Sequence, residues 1–174
     1  AVLTTLGTLS WAQSAMYRDV FTLYQTTLAR NPDCWMAHNN LALALGGKGQ
    51  FAEAIPHLEA ALRLKPDYVL AENNLGYDLI QLDRAAEAIP HLERAVRLQP
   101  NYAAAHRNLG LALATLNRTA EAIPHFTETI RLDATDGEAE LNLGIGLMLT
   151  GRFPAAVPHF ERAIKLTPSS TYFQ

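Results

Sequence analysis

A period of 34 residues runs through most of this chain and limits what the chain can fold into. The phrase EAIPHLEAALRLKP ends at Pro66, and related phrases end at 34-residue intervals at Pro100, Ala134 and Pro168. A second phrase, NNLALAL, begins at Asn39 and recurs at the same interval. A fixed period of about 20 to 50 residues is typical of an array in which each repeat forms one unit and stacks on its neighbours.

Each repeat contains two stretches with helical periodicity. Apolar residues recur at intervals of three and four positions, which indicates amphipathic helices and not strands. We therefore expect an all-α chain whose first helices lie near 35–48, 69–82, 103–116 and 137–150. The second helices are expected near 52–65, 86–99, 120–133 and 154–167.

Residues typical of turns and of helix ends lie at the boundaries of the predicted helices. The short turn inside each repeat opens with a residue that tolerates a left-handed conformation: Gly49, Asp83, Asn117 or Gly151. Three of the four second helices are followed by a proline, which excludes helical geometry at the residue before it: Pro66, Pro100 and Pro168. The turn residues and the helical periodicity thus predict the same boundaries.

The period, together with a fixed pattern of small and apolar residues, resembles the tetratricopeptide repeat family. In the second repeat the pattern falls on Leu75, Gly76, Ala88, Leu92, Ala95 and Pro100, and in the fourth on Leu143, Gly144, Ala156, Phe160, Ala163 and Pro168. The resemblance implies a superhelical solenoid of antiparallel helix pairs, with four full repeats over 35–68, 69–102, 103–136 and 137–168.

The departures from the family pattern are few. The family's early Trp is replaced by a polar residue in every repeat: His38, Glu72, His106 and Glu140. Ala42 takes the place of a Gly, and the third repeat ends in Ala134 where the others have proline. Glycines at the retained positions, such as Gly76, are expected to let two helices approach closely.

Residues 1–34 precede the first full repeat and are open to two interpretations. Residues 12–32 have the spacing of one more second helix, which predicts a degenerate N-terminal repeat with Met16, Val20, Leu23, Tyr24 and Leu28 on one face. The same region resembles the junction in bacterial membrane-anchored repeat proteins, where a glycosyltransferase-like membrane region runs into the repeats. Residues 1–11 are then either the end of a membrane helix or a first helix packed on residues 12–30, and the parent protein is longer in the former case.

The chain as given is expected to be soluble, because its uncharged first stretch is shorter than the roughly 20 apolar residues that cross a bilayer. Its sequence leaves open whether it is cytoplasmic or an extracytoplasmic domain of a membrane protein. Residues 169–174 are treated as a tail outside the fold. With 14 Lys and Arg against 17 Asp and Glu, the net charge of -3 argues against a nucleic-acid partner.

No motif of an enzyme or of a cofactor site appears in the sequence, so we expect neither catalytic activity nor a cofactor. Four histidines recur once per repeat on the second helices: His57, His91, His125 and His159. Consecutive packed helices lie about 8 to 10 Å apart, so these histidines cannot share one ion. We expect them to serve repeat packing or to lie on the surface, and expect no metal site among them.

The concave surface is the candidate binding site, because first helices line it in this family. Each first helix carries an Asn on its inner stripe, and the four form a ladder: Asn40, Asn74, Asn108 and Asn142. An amide can both donate to and accept from a peptide backbone. A similar ladder contacts bound peptide backbone in O-linked N-acetylglucosamine transferase, which implies that role here. The alternative is that the amides bond to neighbouring helices.

Further groove candidates surround this ladder. Leu43, Tyr77, Leu111 and Ile145 are expected to form apolar pockets, and Asn39, Asn73 and Arg107 flank the ladder. The expected function is that of a protein-interaction scaffold whose groove binds an extended peptide or partner segment. Two alternatives stay open: an accessory domain that presents substrate to a membrane-bound glycosyltransferase, and a module that self-assembles into homo-oligomers through its uncapped last helix.

Overall fold

The computed structural model describes residues 20–167, and every regular element in this range is a helix. Helix α1 covers residues 20–30 of the described part. Eight further helices follow: α2 (Trp35–Gly46), α3 (Phe51–Leu64), α4 (Val69–Gln81), α5 (Ala85–Leu98), α6 (Ala103–Thr115), α7 (Thr119–Leu132), α8 (Gly137–Leu149) and α9 (Phe153–Leu166). The prediction of an all-α chain is confirmed, and the predicted boundaries are correct to within two residues.

The helices pack as antiparallel pairs that stack in chain order. The closest partners are α2 with α3, α4 with α5, α6 with α7 and α8 with α9, and α3, α5 and α7 also pack on the first helix of the next repeat. First helices additionally contact the next first helix, whereas consecutive second helices of the described part make no comparable contact. The first helices therefore line the inner, concave side of the stack.

A left-handed residue closes each first helix, as predicted. The φ angles are 75° at Gly49, 59° at Asp83, 60° at Asn117 and 77° at Gly151. The following backbone N–H then donates to a carbonyl five residues earlier, for example Gln50 to Leu45 over 3.0 Å. These bonds satisfy a carbonyl that would otherwise lack a partner at the helix end.

Glycine permits the close approach of the two helices within a repeat. A Cβ atom added to Gly76 would lie 2.4 Å from the Leu92 side chain, and one added to Gly110 would lie 2.7 Å from the ring of Phe126. Leu92 and Phe126 are buried in the core that runs along the stack. This confirms that small residues are needed at these positions.

Two carboxylates shape the third repeat boundary, where Ala134 replaces proline. Asp133 accepts hydrogen bonds from the backbone and the hydroxyl of Thr135, at 2.9 and 2.6 Å. Asp136 caps α8 by accepting from the backbone N–H of Ala139 at 2.9 Å. Because side chains that bond locally to the backbone favour turns and helix starts, they replace the stop signal that proline gives elsewhere.

Helix α1 packs on the first full repeat through Phe21, Tyr24 and Leu28. Val20 and Leu23, which were predicted on the same face, are exposed. Met16 and the tail at 169–174 lie outside the described residues. The same holds for residues 1–11, which are interpreted above either as the end of a membrane helix or as a packed first helix. Within the described part, no helix combines the length and the apolar character needed to cross a bilayer.

Candidate functional site

Apolar side chains lie exposed along the inner face of the first helices. Leu43 in α2 is 61% exposed, Tyr77 in α4 is 40% exposed and Ile145 in α8 is 36% exposed, whereas Leu111 in α6 is half-buried. The same inner stripe carries three more exposed apolar residues: Met36, Leu70 and Leu149. The stripe is thus an apolar surface that runs along most of the concave side.

The asparagines of the first three repeats form one continuous chain of amide hydrogen bonds, which we call the amide chain. Its members are Asn39, Asn40, Asn73, Asn74 and Asn108. Across repeats, Asn108 donates to Asn73 at 2.9 Å and Asn74 donates to Asn39 at 3.3 Å. Within repeats, Asn73 donates to Asn74 at 3.4 Å and Asn39 donates to Asn40 at 3.2 Å. The amide of Asn40 ends the chain by donating to the hydroxyl of Tyr24 at 3.1 Å.

Members of the amide chain differ in their access to the groove. Asn39, Asn73 and Asn108 are buried between the first helices, while Asn40 and Asn74 are half-buried. An amide has two donor hydrogens and an oxygen with two lone pairs. Asn40 and Asn74 therefore keep capacity for a groove ligand even while they bond within the protein.

Asn142 stands apart from the amide chain. Its side chain is half-buried and makes no side-chain hydrogen bond to another described residue. The residue in the place of Asn39 and Asn73 is Arg107 in the third repeat, and a guanidinium cannot accept a hydrogen bond. The chain of amides therefore stops at Asn108, and the amide of Asn142 has its full capacity for a ligand.

The guanidinium of Arg107 is held by two carboxylates at the boundary between the third and fourth repeats. It donates to Asp136 at 2.9 Å and lies 3.9 Å from Glu138. Asp136 is largely buried and also caps α8, so the pair joins the third and fourth repeats. Arg107 thus enters the groove as part of a neutralised cluster and not as an isolated positive charge.

A second set of polar pairs joins the two helices of every repeat. The residue that replaces the family's Trp contacts the second-helix His found 19 positions later. In the first and third repeats, Nδ1 atoms face each other in His38–His57 at 3.0 Å and His106–His125 at 3.2 Å. In the other two repeats, Glu72 bonds to His91 at 2.7 Å and Glu140 bonds to His159 at 2.6 Å.

The two kinds of pair have different charge environments. Each buried glutamate also pairs with an arginine, with Arg94 lying 3.0 Å from Glu72 and Arg162 lying 3.5 Å from Glu140. In the His–His repeats the positions equivalent to these arginines hold Ala60 and Glu128. Burial, followed by the neighbouring histidine, lowers the pKa of both His57 and His125.

One buried carboxylate was not singled out from the sequence. Asp78 in α4 is 5% exposed and makes no side-chain hydrogen bond or ion pair within residues 20–167. Its Oδ1 atom lies beside Gly46, where an added Cβ would stand 3.4 Å away. Burial raises the pKa of Asp78 to about 7.

The fold and sequence both resemble known repeat proteins. A family model described as tetratricopeptide repeat matches residues 22–69, 73–138 and 121–171. A crystal structure of MamA is similar with a TM-score of 0.80 at 23% identity, covering 90% of this chain and 92% of that chain. MamA 41-end from Desulfovibrio magneticus RS-1 gives a TM-score of 0.80 at 20% identity, covering 97% and 96% of the two chains.

YrrB, described as a TPR protein with an unusual peptide-binding site, is similar with a TM-score of 0.75 at 23% identity. The similarity covers 91% of this chain and 81% of that one. No curated protein matches the sequence. Because the family model matches most of the sequence and the stacked helix pairs have the same fold as these proteins, this chain belongs to the tetratricopeptide repeat family.

Proposed function

We propose that this chain is a protein-interaction scaffold, not an enzyme, and that it binds an extended segment of a partner polypeptide along its concave surface. The observation that carries the proposal is the row of exposed apolar side chains on the inner stripe, with Leu43, Tyr77 and Ile145 at its centre. A concentration of exposed apolar side chains on one face of a folded protein is typical of an interaction site. The peptide-binding site for which YrrB is described supports the same class of ligand.

The spacing of the stripe favours an extended ligand. Packed helices lie about 8 to 10 Å apart, and an extended chain advances about 3.3 Å per residue. A peptide that runs across the first helices would therefore present roughly every third side chain to the next anchor. We expect ligands with apolar residues at about this interval.

The amides supply the polar part of the proposed site. An extended peptide has unpaired backbone N–H and C=O groups that need partners when they leave water. Asn142 offers its amide hydrogens and its oxygen to a ligand, whereas Asn40 and Asn74 offer only the hydrogens and lone pairs that are not used within the amide chain. We therefore expect Asn142 to contribute more to backbone recognition than either of the other two.

Selection from a random peptide library tests the proposal. The wild-type chain is compared with a groove variant, Leu43→Ser, Tyr77→Ser and Ile145→Ser, and with a control variant in which three exposed apolar residues of α9 are changed, Phe153→Ser, Val157→Ser and Ile164→Ser. We expect wild type and control to enrich the same apolar-rich peptides and the groove variant to enrich none. Equal enrichment by the groove variant, with folding checked by circular dichroism, would contradict the proposal.

A second candidate function is self-assembly through α9. Phe153, Val157 and Ile164 of this last described helix are exposed, at 62%, 54% and 47%. Light scattering over a range of concentrations should then show a mass that rises with concentration. Val157→Glu with Ile164→Glu should abolish the rise, while Leu64→Glu with Leu98→Glu, at exposed positions of other second helices, should not. A constant monomer mass for the wild type would exclude this function.

A further inference from the structure

The carboxyl group of Asp78 has no partner in the fold. It is 5% exposed, lies in α4 directly after the groove residue Tyr77, and makes no side-chain hydrogen bond or ion pair within residues 20–167. Such groups are rare in folded proteins, because burial removes their water and nothing replaces it. The equivalent residues of the other repeats are small and uncharged: Ala44, Ala112 and Gly146. Packing alone therefore does not explain a carboxyl group here.

The end of helix α2 places only backbone beside this carboxyl group. A Cβ atom added to Gly46 would lie 3.4 Å from Oδ1 of Asp78 and 3.9 Å from two ring carbons of Phe51. Gly46 is half-buried, and the next residue, Gly47, is exposed. No side chain from these two positions of α2 therefore stands between Asp78 and the surface.

The backbone conformation does not require these two glycines. Neither Gly46 nor Gly47 has the positive φ angle of Gly49, and glycine is a poor helix former. The equivalent positions hold side chains in the other repeats: Ile80 and Gln81, Ala114 and Thr115, and Met148 and Leu149. The missing side chains are thus specific to the boundary between the first and second repeats, where Asp78 lies.

Two aromatic rings lie at the same boundary. The ring centroids of Phe51 and Tyr77 are 6.2 Å apart, and the ring planes meet at 75°. Tyr77 is 40% exposed on the inner stripe, whereas Phe51 is half-buried. The face of an aromatic ring attracts a cation, and a carboxylate forms strong charge-assisted hydrogen bonds with one. Aromatic rings next to a carboxylate therefore suit an ammonium or guanidinium group.

The charges around Asp78 also favour a cation. Gly46 is the last residue of α2, and the C-terminal end of a helix carries a partial negative charge. Burial raises the pKa of Asp78 to about 7, and a cation beside it would stabilise the ionised carboxylate. The ammonium group of Lys48, two residues beyond Gly46, lies over the ring of Phe21 and makes no ion pair with Asp78. The protein thus leaves this place to a cation from outside.

We propose that Asp78, Phe51 and Tyr77 form a cation-binding site in the groove that receives a Lys or Arg side chain of the bound partner segment. This inference rests on the proposed function, because it assigns one side chain of the ligand that the concave groove binds. The exposed ring of Tyr77 can change its side-chain torsions to admit the cation. Because Tyr77 is also an apolar anchor, the basic residue should be adjacent to an apolar residue of the ligand or one position further away.

A double-mutant cycle tests the proposal, with a peptide that the wild-type chain enriches from a random library. In the peptide, the basic residue is replaced by norleucine, which has no charge. In the protein, Asp78→Asn is the test variant. The matched control is Asp83→Asn, which removes an equal charge from an exposed residue of the same repeat, and the third repeat has Asn117 at this position. Circular dichroism checks the fold, and fluorescence polarisation measures Kd.

The wild-type chain should bind the basic peptide more tightly than the norleucine peptide by about ten-fold or more. Asp78→Asn should abolish this preference, whereas Asp83→Asn should keep it to within about three-fold. An equal preference in Asp78→Asn and wild type, or an equal loss in Asp83→Asn, would overturn the cation-binding site. So would enriched peptides that are rich in apolar residues but have no basic residue beside them, although groove binding would then stand. Enrichment of no peptide by the wild type would overturn both the site and the proposed function.

Discussion

The side-chain amide of Asn108 donates to the oxygen of Asn73 over 2.9 Å, and both residues are buried between the second and third repeats. The two residues are 35 positions apart, one more than the repeat period. The amide of Asn108 therefore does not bond to its own equivalent in the second repeat, but to the residue just before that equivalent, which is Asn73. The amide chain holds the register of the first helices and so fixes the shape of the groove.

Asn73→Ala should destabilise the fold, whereas Asn142→Ala should not. Loss of Asn73 leaves the buried amide of Asn108 without its acceptor and removes the donor to the oxygen of the half-buried Asn74, which costs about 1 to 3 kcal/mol. Asn142 has no such partner among residues 20–167, so its loss should change the free energy of unfolding by less than about 0.5 kcal/mol. Urea unfolding followed by circular dichroism measures both. Equal effects of the two substitutions would show that the amide chain contributes nothing to stability.

Gly110→Ala should destabilise the protein although alanine is the better helix former. The added Cβ would lie 2.7 Å from the ring of Phe126, which is fully buried and cannot move away. Overpacking of this kind costs about 1 to 3 kcal/mol, more than the roughly 1 kcal/mol gained in helix propensity.

Gly47→Ala is the matched control for this substitution. Gly47 has a φ of −61° and only ordinary contacts around an added Cβ, so the change should be neutral or stabilising by up to about 1 kcal/mol. Thermal unfolding compares the two variants. A Gly110→Ala protein as stable as the Gly47→Ala protein would contradict the close-approach argument.

Asp78 should make the protein less stable as the pH rises. Burial raises the pKa of its carboxyl from 3.8 to about 7, so the unfolded chain ionises first. The stabilising contribution of the protonated group is complete below the unfolded pKa and is lost as the pH rises through the folded pKa. Above about pH 7, Asp78→Asn should therefore be more stable than wild type by an amount on the order of a few kcal/mol.

The measurement is the difference in unfolding free energy between Asp78→Asn and wild type, from about pH 4 to about pH 8. Taking the difference removes the contributions of other carboxylates, such as Asp133, whose pKa is lowered by its hydrogen bonds to Thr135. A difference that stays constant over this range would contradict the assignment.

A Glu–His pair should be replaceable by a His–His pair only when the arginine that bonds to the glutamate is removed as well. Glu72→His alone removes the acceptor for Arg94 and His91, and should cost about 1 to 3 kcal/mol. Glu72→His with Arg94→Ala reproduces the set His38, His57 and Ala60 of the first repeat, so it should recover most of that loss. Urea midpoints for the single and double variants test this. A double variant no more stable than the single one would rule out the coupling.

The helices and turns could be predicted because their signals are local. Helical periodicity predicts the first and second helices. The left-handed conformation of Asp83 and Asn117 follows from their residue type and from their position just after a first helix. The exposed stripe with Leu43 and Tyr77 also follows from helical geometry once the inner face is known.

Contacts between repeats could not be predicted in the same way. The bond between Asn74 and Asn39 depends on the shift between consecutive first helices, which the period alone does not give. The adjacent asparagines at 39–40 and 73–74 are the sequence feature that could have indicated a hydrogen bond between repeats. Asp78 carried a similar signal, since its equivalents Ala44, Ala112 and Gly146 are all small and indicate a buried position.

The His pairs are not evident from the sequence when each histidine is taken by itself. The sequence identifies His38 and His106 as replacements for the family's Trp and predicts His57 and His125 on the second helices, but it does not pair them. The constant separation of 19 residues indicates the pairing, but only when both helices of the repeat are aligned. The packing of α2 on α3 brings the rings together.

Photo-crosslinking of a library-selected peptide tests the central claim most directly, because it locates the ligand on the surface. The crosslinking residue p-benzoylphenylalanine is placed at Tyr77 in the groove or, in a matched variant, at Leu98, which is equally exposed but lies at the end of the second helix α5. The proposed function predicts a covalent complex with the residue at Tyr77 and none with the residue at Leu98. Crosslinking at Leu98 and not at Tyr77 would show that the ligand binds elsewhere and that the concave groove is not the binding site.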